Sequence, residues 1–199
     1  MLKTITISNP VKRNALDAAE CERIAAELAV DPDVRVVVLT GDPTGRAFCA
    51  GFDLGALGDL ARAEAAFAGL IAAVSACRVP VIAALYGAAI GGGCELAATC
   101  DLRVAHPGVK LGLPPAKLGI VYPERGLRRF AALCGESRAR QLFLLARVVE
   151  APEAERWGLV DFVVDDPVTR ATAFAEEIAA LSPHAVQGMR ARMEARFRS

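Results

Sequence analysis

The chain has 199 residues, of which 54% are hydrophobic and 23% are charged. This composition excludes a disordered chain, and the length suits one domain with a substantial core better than two. Lys and Arg total 23, as do Asp and Glu, so no overall positive field points to nucleic acid or an anionic membrane as a partner. We therefore expect a single domain over residues 1–199.

The first half of the chain predicts buried strands that alternate with helices. The β-branched runs "KTITIS" and "DVRVVVLTG" predict strands, and the second is typical of a strand buried on both faces. Helices are predicted over 17–30 and over the Ala-rich stretch 59–77, followed by a buried strand in "VPVIAALYG". Strands that alternate with helices indicate an α/β fold built from βαβ units.

The second half of the chain continues this pattern and then becomes helical. "DLRVAHP" predicts a third buried strand, "LGLPPAKLGIVYPERG" a loop-rich insert, and "LRRFAALCGESRARQLFLLARV" one or two helices. A short helix and a strand are predicted in "PEAERWGLVDFVV". The predicted core thus spans about 1–166, and a helical carboxyl-terminal region spans about 167–199.

Six cysteines occur singly in apolar surroundings, without a CxxC pair and without a secretory signal at the start. This pattern favours buried thiols in a reducing cytoplasm over disulfides or a metal site. The long apolar run "VPVIAALYGAAIGGGCELAATC" contains a glycine cluster and Glu95, which favours a buried strand followed by a helix over a membrane span.

The stretch "AAIGGGCELAATCDL", residues 88–102, begins a predicted helix with Gly91, Gly92 and Gly93 and places Glu95 just inside it. Glycine lets a ligand approach the backbone, and the first N–H groups of a helix have no partner within the helix. Such donors would stabilise an oxyanion formed from a thioester or ester carbonyl. Alternatively, the glycines only permit close packing and Glu95 is a first-turn acid favoured by the helix dipole. Both interpretations remain open at this point.

A second glycine loop, "AFCAGFDL" over 47–54, also follows a predicted buried strand, and its Phe52 N–H is free to point at a ligand. Ligands of α/β sheets gather beyond the carboxyl ends of the strands, so we expect the two loops to meet at one sheet edge. A dinucleotide site, a P-loop and a serine hydrolase are disfavoured, since GxGxxG, GxxxxGK[ST] and GxSxG motifs are absent.

Five segments of the chain match a known family in the right order, namely "NPVKRNALD", "GRAFCAGFDL", "VPVIAALYGAAIGGGCELAATCDLRVA", "LGIVYPERGLRRF" and "APEAERWGLVDFVV". From about Ile5 to Val164 the chain resembles the crotonase superfamily, the enoyl-CoA hydratase/isomerase family. The resemblance implies a core of repeated ββα units in a spiral with carboxyl-terminal helices, here shortened at both ends. It also implies that the Phe52 and Gly92 N–H groups hold a thioester oxygen. The implied coenzyme A contacts are Lys12, Arg13, Ala15, Ala50 and Asp53, although Lys12 and Arg13 are equally consistent with solvated turn charges.

Hydratases that resemble this chain carry two glutamates, and only the first has a counterpart here, Glu95. The second position falls on Pro115, which has no ionisable group. Glu124, in "YPERG", is a candidate replacement because related enzymes place a catalytic acid nearby. The alternative is a surface glutamate paired with Arg125 or Arg128. Tyr122 is a third polar candidate, or simply a packing aromatic residue.

The leading hypothesis is an acyl-CoA or acyl-carrier thioester enzyme of the hydratase/isomerase type, active in the cytoplasm and in fatty acid metabolism. Phe52 and Gly92 would stabilise the enolate, and Glu95 would transfer the proton. The alternatives are a decarboxylase or another enolate-forming enzyme, and a non-catalytic acyl-CoA-binding accessory subunit. Coenzyme A would be part of the substrate, with no separate cofactor or metal expected. The resemblance also predicts a homo-oligomer, a trimer or a dimer of trimers.

Overall fold

The computed structural model describes residues 1–53, 60–195 and 197. Parts of three predicted segments lie outside the described residues. These are the last residue of the "AFCAGFDL" loop, the first residue of the helix predicted over 59–77, and residues 196 and 198–199 of the predicted carboxyl-terminal region. The strands are β1 Leu2–Ile7, β2 Val36–Gly41, β3 Ala47–Cys49, β4 Val81–Leu85, β5 Ala88–Ile90, β6 Leu102–Ala105, β7 Lys110–Gly112, β8 Val148–Glu150 and β9 Phe162–Val163. The helices are α1 Ala18–Glu27, α2 Leu60–Ala76, α3 Gly92–Thr99, α4 Glu124–Cys134, α5 Glu136–Leu144, α6 Ala151–Trp157, α7 Pro167–Ala179 and α8 Pro183–Ala195.

Two sheets organise the fold. The first has five parallel strands in the order β1-β2-β4-β6-β9, and the second has four strands in the order β3-β5-β7-β8, with only β8 antiparallel to its neighbour. Along the chain, β2-β3 is followed by α2 and β4-β5 by α3, so each repeat contributes one strand to each sheet before its helix. This is the predicted ββα spiral, and the α/β fold class is confirmed.

The long strands of the five-stranded sheet are buried on both faces. In β2, Val36 and Val38 pack on Ala171 and Ala175 of α7, whereas Val37 and Leu39 face the main core. Successive side chains of a strand point to opposite faces, so one β-branched run serves two apolar layers. The continuous apolar pattern predicted this arrangement correctly.

Helix α8 is attached to the rest of the fold by buried arginines. Arg190 of α8 donates to the Asp101 carboxylate at 2.8 Å and to the carbonyl of Val74 at 2.8 Å, near the end of α2. Arg129 of α4 pairs with Glu194 of α8 at 3.0 Å, and both side chains are buried. These contacts satisfy carbonyls at the end of α2 and hold α8 against α2 and α4.

The simple βαβ pattern expected from the alternation of strands and helices is incomplete, because it misses β3, β5, β7 and β8. Each of these strands has three residues, which is too short to display a hydrophobic period. The two glycine loops therefore follow β3 and β5 rather than the long strands β2 and β4. In the part of the chain that the structure describes, no helix has the length and apolarity needed to cross a membrane.

Candidate active site

The two glycine loops lie side by side at one edge of the four-stranded sheet. Strands β3 and β5 are parallel neighbours, with Ala47 paired to Ala88, so their carboxyl ends point the same way. Gly51 has a φ of +100°, and a methyl group placed on it would lie 2.8 Å from the Ile90 carbonyl oxygen and 3.6 Å from the Gly92 nitrogen. The loops can approach this closely only because Gly51 has no side chain.

Phe52 and Gly92 each present a backbone N–H group that has no hydrogen-bond acceptor among the residues that the structure describes. Leu16 N–H donates to Gly51 O, and Asp53 N–H donates to Leu16 O, both at 2.8 Å, so the intervening Phe52 N–H points away from Leu16. Gly92 is the first residue of α3, where N–H groups have no acceptor within the helix. Among the described residues, no carbonyl or side chain accepts a hydrogen bond from either group.

The three consecutive glycines meet three different requirements. Gly91 has a φ of +56°, which a residue with a side chain rarely adopts. A methyl group on Gly92 would lie 3.3 Å from the Phe67 ring. A methyl group on Gly93 would lie 2.7 Å from Cys49 Cβ, because α3 packs directly on β3. The close-packing interpretation therefore describes Gly93, while the N–H without a partner belongs to Gly92.

Glu95 lies in the first turn of α3 and is only 8% exposed. The hydroxyl group of Tyr122 donates a hydrogen bond to its Oε2 atom. Burial raises the pKa of Glu95 above its ordinary value, and the Tyr122 hydrogen bond and the charges of Arg125 and Arg129 oppose part of this rise. A carboxyl group whose pKa is raised in this way is suited to accept a proton and to return it.

Comparisons with known proteins show the family to which this fold and sequence belong. The family model described as enoyl-CoA hydratase/isomerase matches residues 2–199. The chain belongs to the enoyl-CoA hydratase/isomerase family. It is 40% identical over 191 residues to a Mycobacterium bovis protein named as a probable enoyl-CoA hydratase, covering 92% of this chain and 74% of that protein. It is 34% identical to the short-chain-enoyl-CoA hydratase of Clostridium acetobutylicum, with the same coverage. The crystal structure of an enoyl-CoA hydratase from Bacillus anthracis superposes with a TM-score of 0.89 at 33% identity, covering 96% of this chain and 77% of that one.

The residues that this family resemblance assigns to coenzyme A are brought together at one junction. Lys12 Nζ lies 2.5 Å from Asp53 Oδ2, and the Ala50 N–H donates to the Arg13 carbonyl at 3.2 Å. Ala15 is buried in the same turn. A cleft of about 250 Å³ begins beside them, lined by Leu16, Asp17, Ala18, Ala19, Phe52, Asp53, Arg62 and Ala63. The turn and the first glycine loop thus form one continuous surface in this enoyl-CoA hydratase/isomerase family member.

Glu124 is placed differently from Glu95, although both are first-turn acids. Its side chain is 75% exposed and pairs with Arg128, one turn further along α4, at 2.6 Å. This is the surface ion pair considered as the alternative from the sequence. Pro115, at the second family position, is buried at the start of a short 3-10 helix, Pro115–Leu118. Within the part of the chain that the structure describes, the side chain that hydrogen-bonds to Glu95 is thus the Tyr122 hydroxyl and not a second carboxyl group.

Asn14 is a structural residue of the site that the sequence interpretation missed. It is fully buried with a φ of +57°, and its Nδ2 donates to the carbonyls of Asp42 at 2.9 Å and Ala47 at 2.7 Å. These bonds fasten the "NPVKRNAL" turn to the segment that leads into β3. An asparagine next to basic turn residues and followed by "AL" was the available signal, since asparagine tolerates positive φ and bonds to backbone groups.

Proposed function

We propose that this protein is an acyl-CoA thioester enzyme that forms an enolate in an oxyanion hole and uses one glutamate for proton transfer. The Phe52 and Gly92 N–H groups would donate to the thioester oxygen, and Glu95 would take or return the proton at carbon. The observation that carries the proposal is the adjacency of the two glycine loops, with a methyl position on Gly51 only 3.6 Å from Gly92 N, together with a buried carboxylate one turn away.

The chemistry follows from where negative charge develops. Removal of an α-proton, or addition of water at the β-carbon, places charge on the thioester oxygen, where the Phe52 N–H of the first glycine loop and the Gly92 N–H at the start of α3 would stabilise it. Each such donor contributes about 3 kcal/mol to the transition state. Glu95 then works at a carbon close to that oxygen, and its raised pKa lets it act as base and then as acid.

We assign the coenzyme A part of the substrate to the junction of Lys12, Arg13, Ala15, Ala50 and Asp53. Lys12 is half exposed and Arg13 is exposed, so both cations can reach a phosphate, although the Lys12 ammonium now contacts Asp53. The cleft beside this junction is lined by Asp53 and by Phe52 of the first glycine loop. The same surface would accept an acyl-carrier thioester, since the two carriers share the pantetheine arm.

Double-bond isomerisation and hydration are both within reach of one carboxylate. In isomerisation, Glu95 removes an α- or γ-proton and returns it to another carbon, with no net change in composition. In hydration, Glu95 orients a water that adds across the double bond. Decarboxylation of an acyl-CoA is a second candidate. It is favoured because Pro115 occupies the position of the second family glutamate and because no second carboxyl group contacts Glu95 among the described residues. It needs the oxyanion hole and a proton for the enolate.

A thioester panel incubated in deuterated water and followed by mass spectrometry tests these proposals. Water addition, exchange of α-protons and loss of carbon dioxide change the product mass differently, and isomers separate by chromatography. We expect Glu95→Gln to lower kcat on the order of 10²- to 10⁴-fold. The matched control is Glu136→Gln, another first-turn glutamate, which is 75% exposed and lies opposite Arg140. Full activity of Glu95→Gln on every turned-over thioester contradicts the role of Glu95.

A third variant, Glu124→Gln, decides whether a second acid takes part. A large loss of hydration with retained exchange would assign Glu124 to the water step, and unchanged rates would leave it as a surface residue. Tight binding of thioesters by the parent protein without any turnover would instead support a non-catalytic accessory subunit.

We also propose that the protein is a cytoplasmic homo-oligomer, a trimer or a dimer of trimers, acting in fatty acid metabolism. All six cysteines are buried free thiols, which suits a reducing compartment. Several apolar side chains are exposed and suit burial against another subunit, namely Leu118, Ile120, Val121, Leu144, Leu145 and Val148. Sedimentation equilibrium tests the assembly, and a monomer at micromolar concentration contradicts it.

A further inference from the structure

The two oxygens of the Glu95 carboxylate are in different situations. Oε2 accepts the hydrogen bond from the Tyr122 hydroxyl, and no other described group donates to it. Oε1 accepts no hydrogen bond from any residue that the structure describes, while the side chain keeps a small exposed fraction of 8%. One oxygen is therefore held by a protein donor, whereas the other has no donor among the described residues.

Tight packing on two sides determines where the Tyr122 hydroxyl lies. On one side the Tyr122 ring contacts Phe143 of α5, with 5.0 Å between the ring centroids. On the other side is Gly126 of α4, where a methyl group would lie 2.5 Å from Tyr122 Cε1 and 3.2 Å from Glu95 Oε1. The absence of a side chain at Gly126 therefore leaves room for both the ring and the carboxylate. The ring cannot move far without a clash or a cavity.

We infer that Tyr122 is a positioning residue for proton transfer, which holds Oε2 of Glu95 so that Oε1 is the oxygen that exchanges the proton with the substrate. This inference rests on the proposed function of Glu95. In this chain Pro115 occupies the position of the second family glutamate. The inference gives the hydroxyl that contacts Glu95, that of Tyr122, a task at the site. The proton moves between the substrate carbon, or a water molecule, and Oε1, while the Tyr122 O–H bond stays intact throughout.

Electrostatics add a measurable consequence. The titratable and charged groups that act on Glu95 are Tyr122, Arg125 and Arg129, with Cys94 beside it on α3. Burial raises the pKa of Cys94 to about 12, so this thiol is neutral and contributes no charge at working pH. The Tyr122 hydrogen bond favours the ionised carboxylate and so opposes the rise that burial causes in the pKa of Glu95. Without the hydroxyl, the pKa of Glu95 rises further.

The test is the pH dependence of kcat and kcat/KM in Tyr122→Phe, with the most active thioester of the panel. Because the base form of Glu95 starts the reaction, a higher pKa moves the acidic limb of the profile to higher pH. We expect a shift of about 1–2 pH units, the range that one hydrogen bond to an ionised carboxylate supports. We also expect a loss of kcat of about tenfold with KM changed less than about twofold, since Tyr122 orients the base rather than binding the substrate.

Tyr86→Phe is the matched control, since Tyr86 is the other of the two tyrosines in the chain. Its hydroxyl lies at hydrogen-bonding distance from the carbonyls of Asp42 and Ala47, away from Glu95. Removing it lowers stability without moving the acidic limb. A limb that stays in place in Tyr122→Phe, or that moves equally in Tyr86→Phe, overturns the inference.

Gly126→Ala provides an independent test, which also covers the case that Tyr122→Phe folds poorly. The added methyl group must displace the Tyr122 ring or Glu95 while the hydroxyl is retained, so the acidic limb should again move to higher pH. An unmoved limb in Gly126→Ala, with near-UV circular dichroism like that of the parent, counts against the inference. Full activity of Glu95→Gln would refute the proposed function, whereas an inactive Glu95→Gln with an unmoved limb in Tyr122→Phe refutes only the role of Tyr122.

Discussion

The two sheets of this protein differ in what occupies the space next to their strands. In the five-stranded sheet, strands such as β2 contribute six consecutive buried residues, and large side chains fill the space on both faces. In the four-stranded sheet, each strand has three residues, and β3 and β5 lead into glycines whose missing side chains let loops and a helix approach. Buried side chains of the first sheet stabilise the fold. In the second sheet, glycines without side chains allow the close approach that forms the candidate site.

Removal of side-chain atoms from the five-stranded sheet should have the largest effect on stability. Leu39 is fully buried in β2, so Leu39→Ala should lower the free energy of unfolding by about 3 kcal/mol through lost burial and a residual cavity. Urea unfolding measures this loss, and Leu181→Ala, at an exposed leucine, should change it by less than about 0.5 kcal/mol. If Leu39→Ala lowered the free energy of unfolding by less than about 1 kcal/mol, or shifted the pH–rate profile, the first sheet would not differ from the second in serving stability rather than catalysis.

Addition of one methyl group beside the four-stranded sheet should be nearly as costly. In Gly93→Ala the new atom would lie 2.7 Å from Cys49 Cβ and 2.9 Å from its carbonyl carbon, and backbone atoms cannot move aside cheaply. We expect a loss of about 2 kcal/mol in unfolding experiments. The comparison variant is Gly69→Ala in α2, which has open space around the new methyl and should gain about 0.5–1 kcal/mol. Equal effects in the two variants would show that α3 does not need a glycine for packing.

At the first glycine loop, a methyl group should affect catalysis more than stability. Gly51→Ala combines a φ of +100° with a 2.8 Å approach to the Ile90 carbonyl oxygen, so the loop that presents the Phe52 N–H must shift. We expect about 1–2 kcal/mol of lost stability and a fall in kcat on the order of 100-fold.

Gly135→Ala separates strain from that displacement. Gly135 also has a positive φ, +79°, but lies between α4 and α5 with open space around it. It should lose comparable stability and keep the parental kcat. A similar loss of kcat in both variants would mean that backbone strain, not the position of the loop, determines the rate.

The smallest expected effect is a dependence of stability on pH that has opposite signs at two buried glutamates. The pKa of Glu95 is raised by burial from 4.5, so the folded state disfavours its charged form, and its contribution to stability falls as pH rises through the folded pKa. Glu95→Gln should therefore match the parent in acid and become more stable than the parent at neutral pH. Urea titrations between about pH 4 and pH 8 measure this difference.

Glu194→Gln is the control with the opposite sign. Burial acts to raise the pKa of Glu194, but the hydrogen bond and charge of Arg129 and the charge of Arg190 outweigh it, so the pKa lies below 4.5. Its stabilisation is present above the unfolded pKa and is lost as pH falls through the folded one. Glu194→Gln should be less stable than the parent at neutral pH, with the difference disappearing in acid. The same sign at both positions would contradict the assignment of Glu95 as a functional rather than a stabilising acid.

How well the sequence predicted each part depended on the length of the signal. Strands β1, β2, β4 and β6 and the helices were predicted because each has enough apolar residues to display a period or a continuous run, and the two-residue strand β9 was predicted within "PEAERWGLVDFVV". The three-residue strands carry no such period, so the second strand of each ββα repeat came only from the family resemblance. Glu95 was identified because a carboxylate among glycines and small apolar residues is unusual, whereas the task of Asn14 was hidden by its ordinary turn context.

By itself, the sequence determined the α/β class, the two glycine loops, the buried acid and the family resemblance, because these depend on residue type and local spacing. Only the tertiary structure decided that the loops meet beyond β3 and β5, that Glu124 lies at the surface with Arg128, and that Tyr122 reaches Glu95. Glu95 and Tyr122 are 27 residues apart, and their contact depends on how α4 packs against α3 and on how Phe143 of α5 packs against the Tyr122 ring. Local pattern does not encode that packing, since it is a property of the whole core.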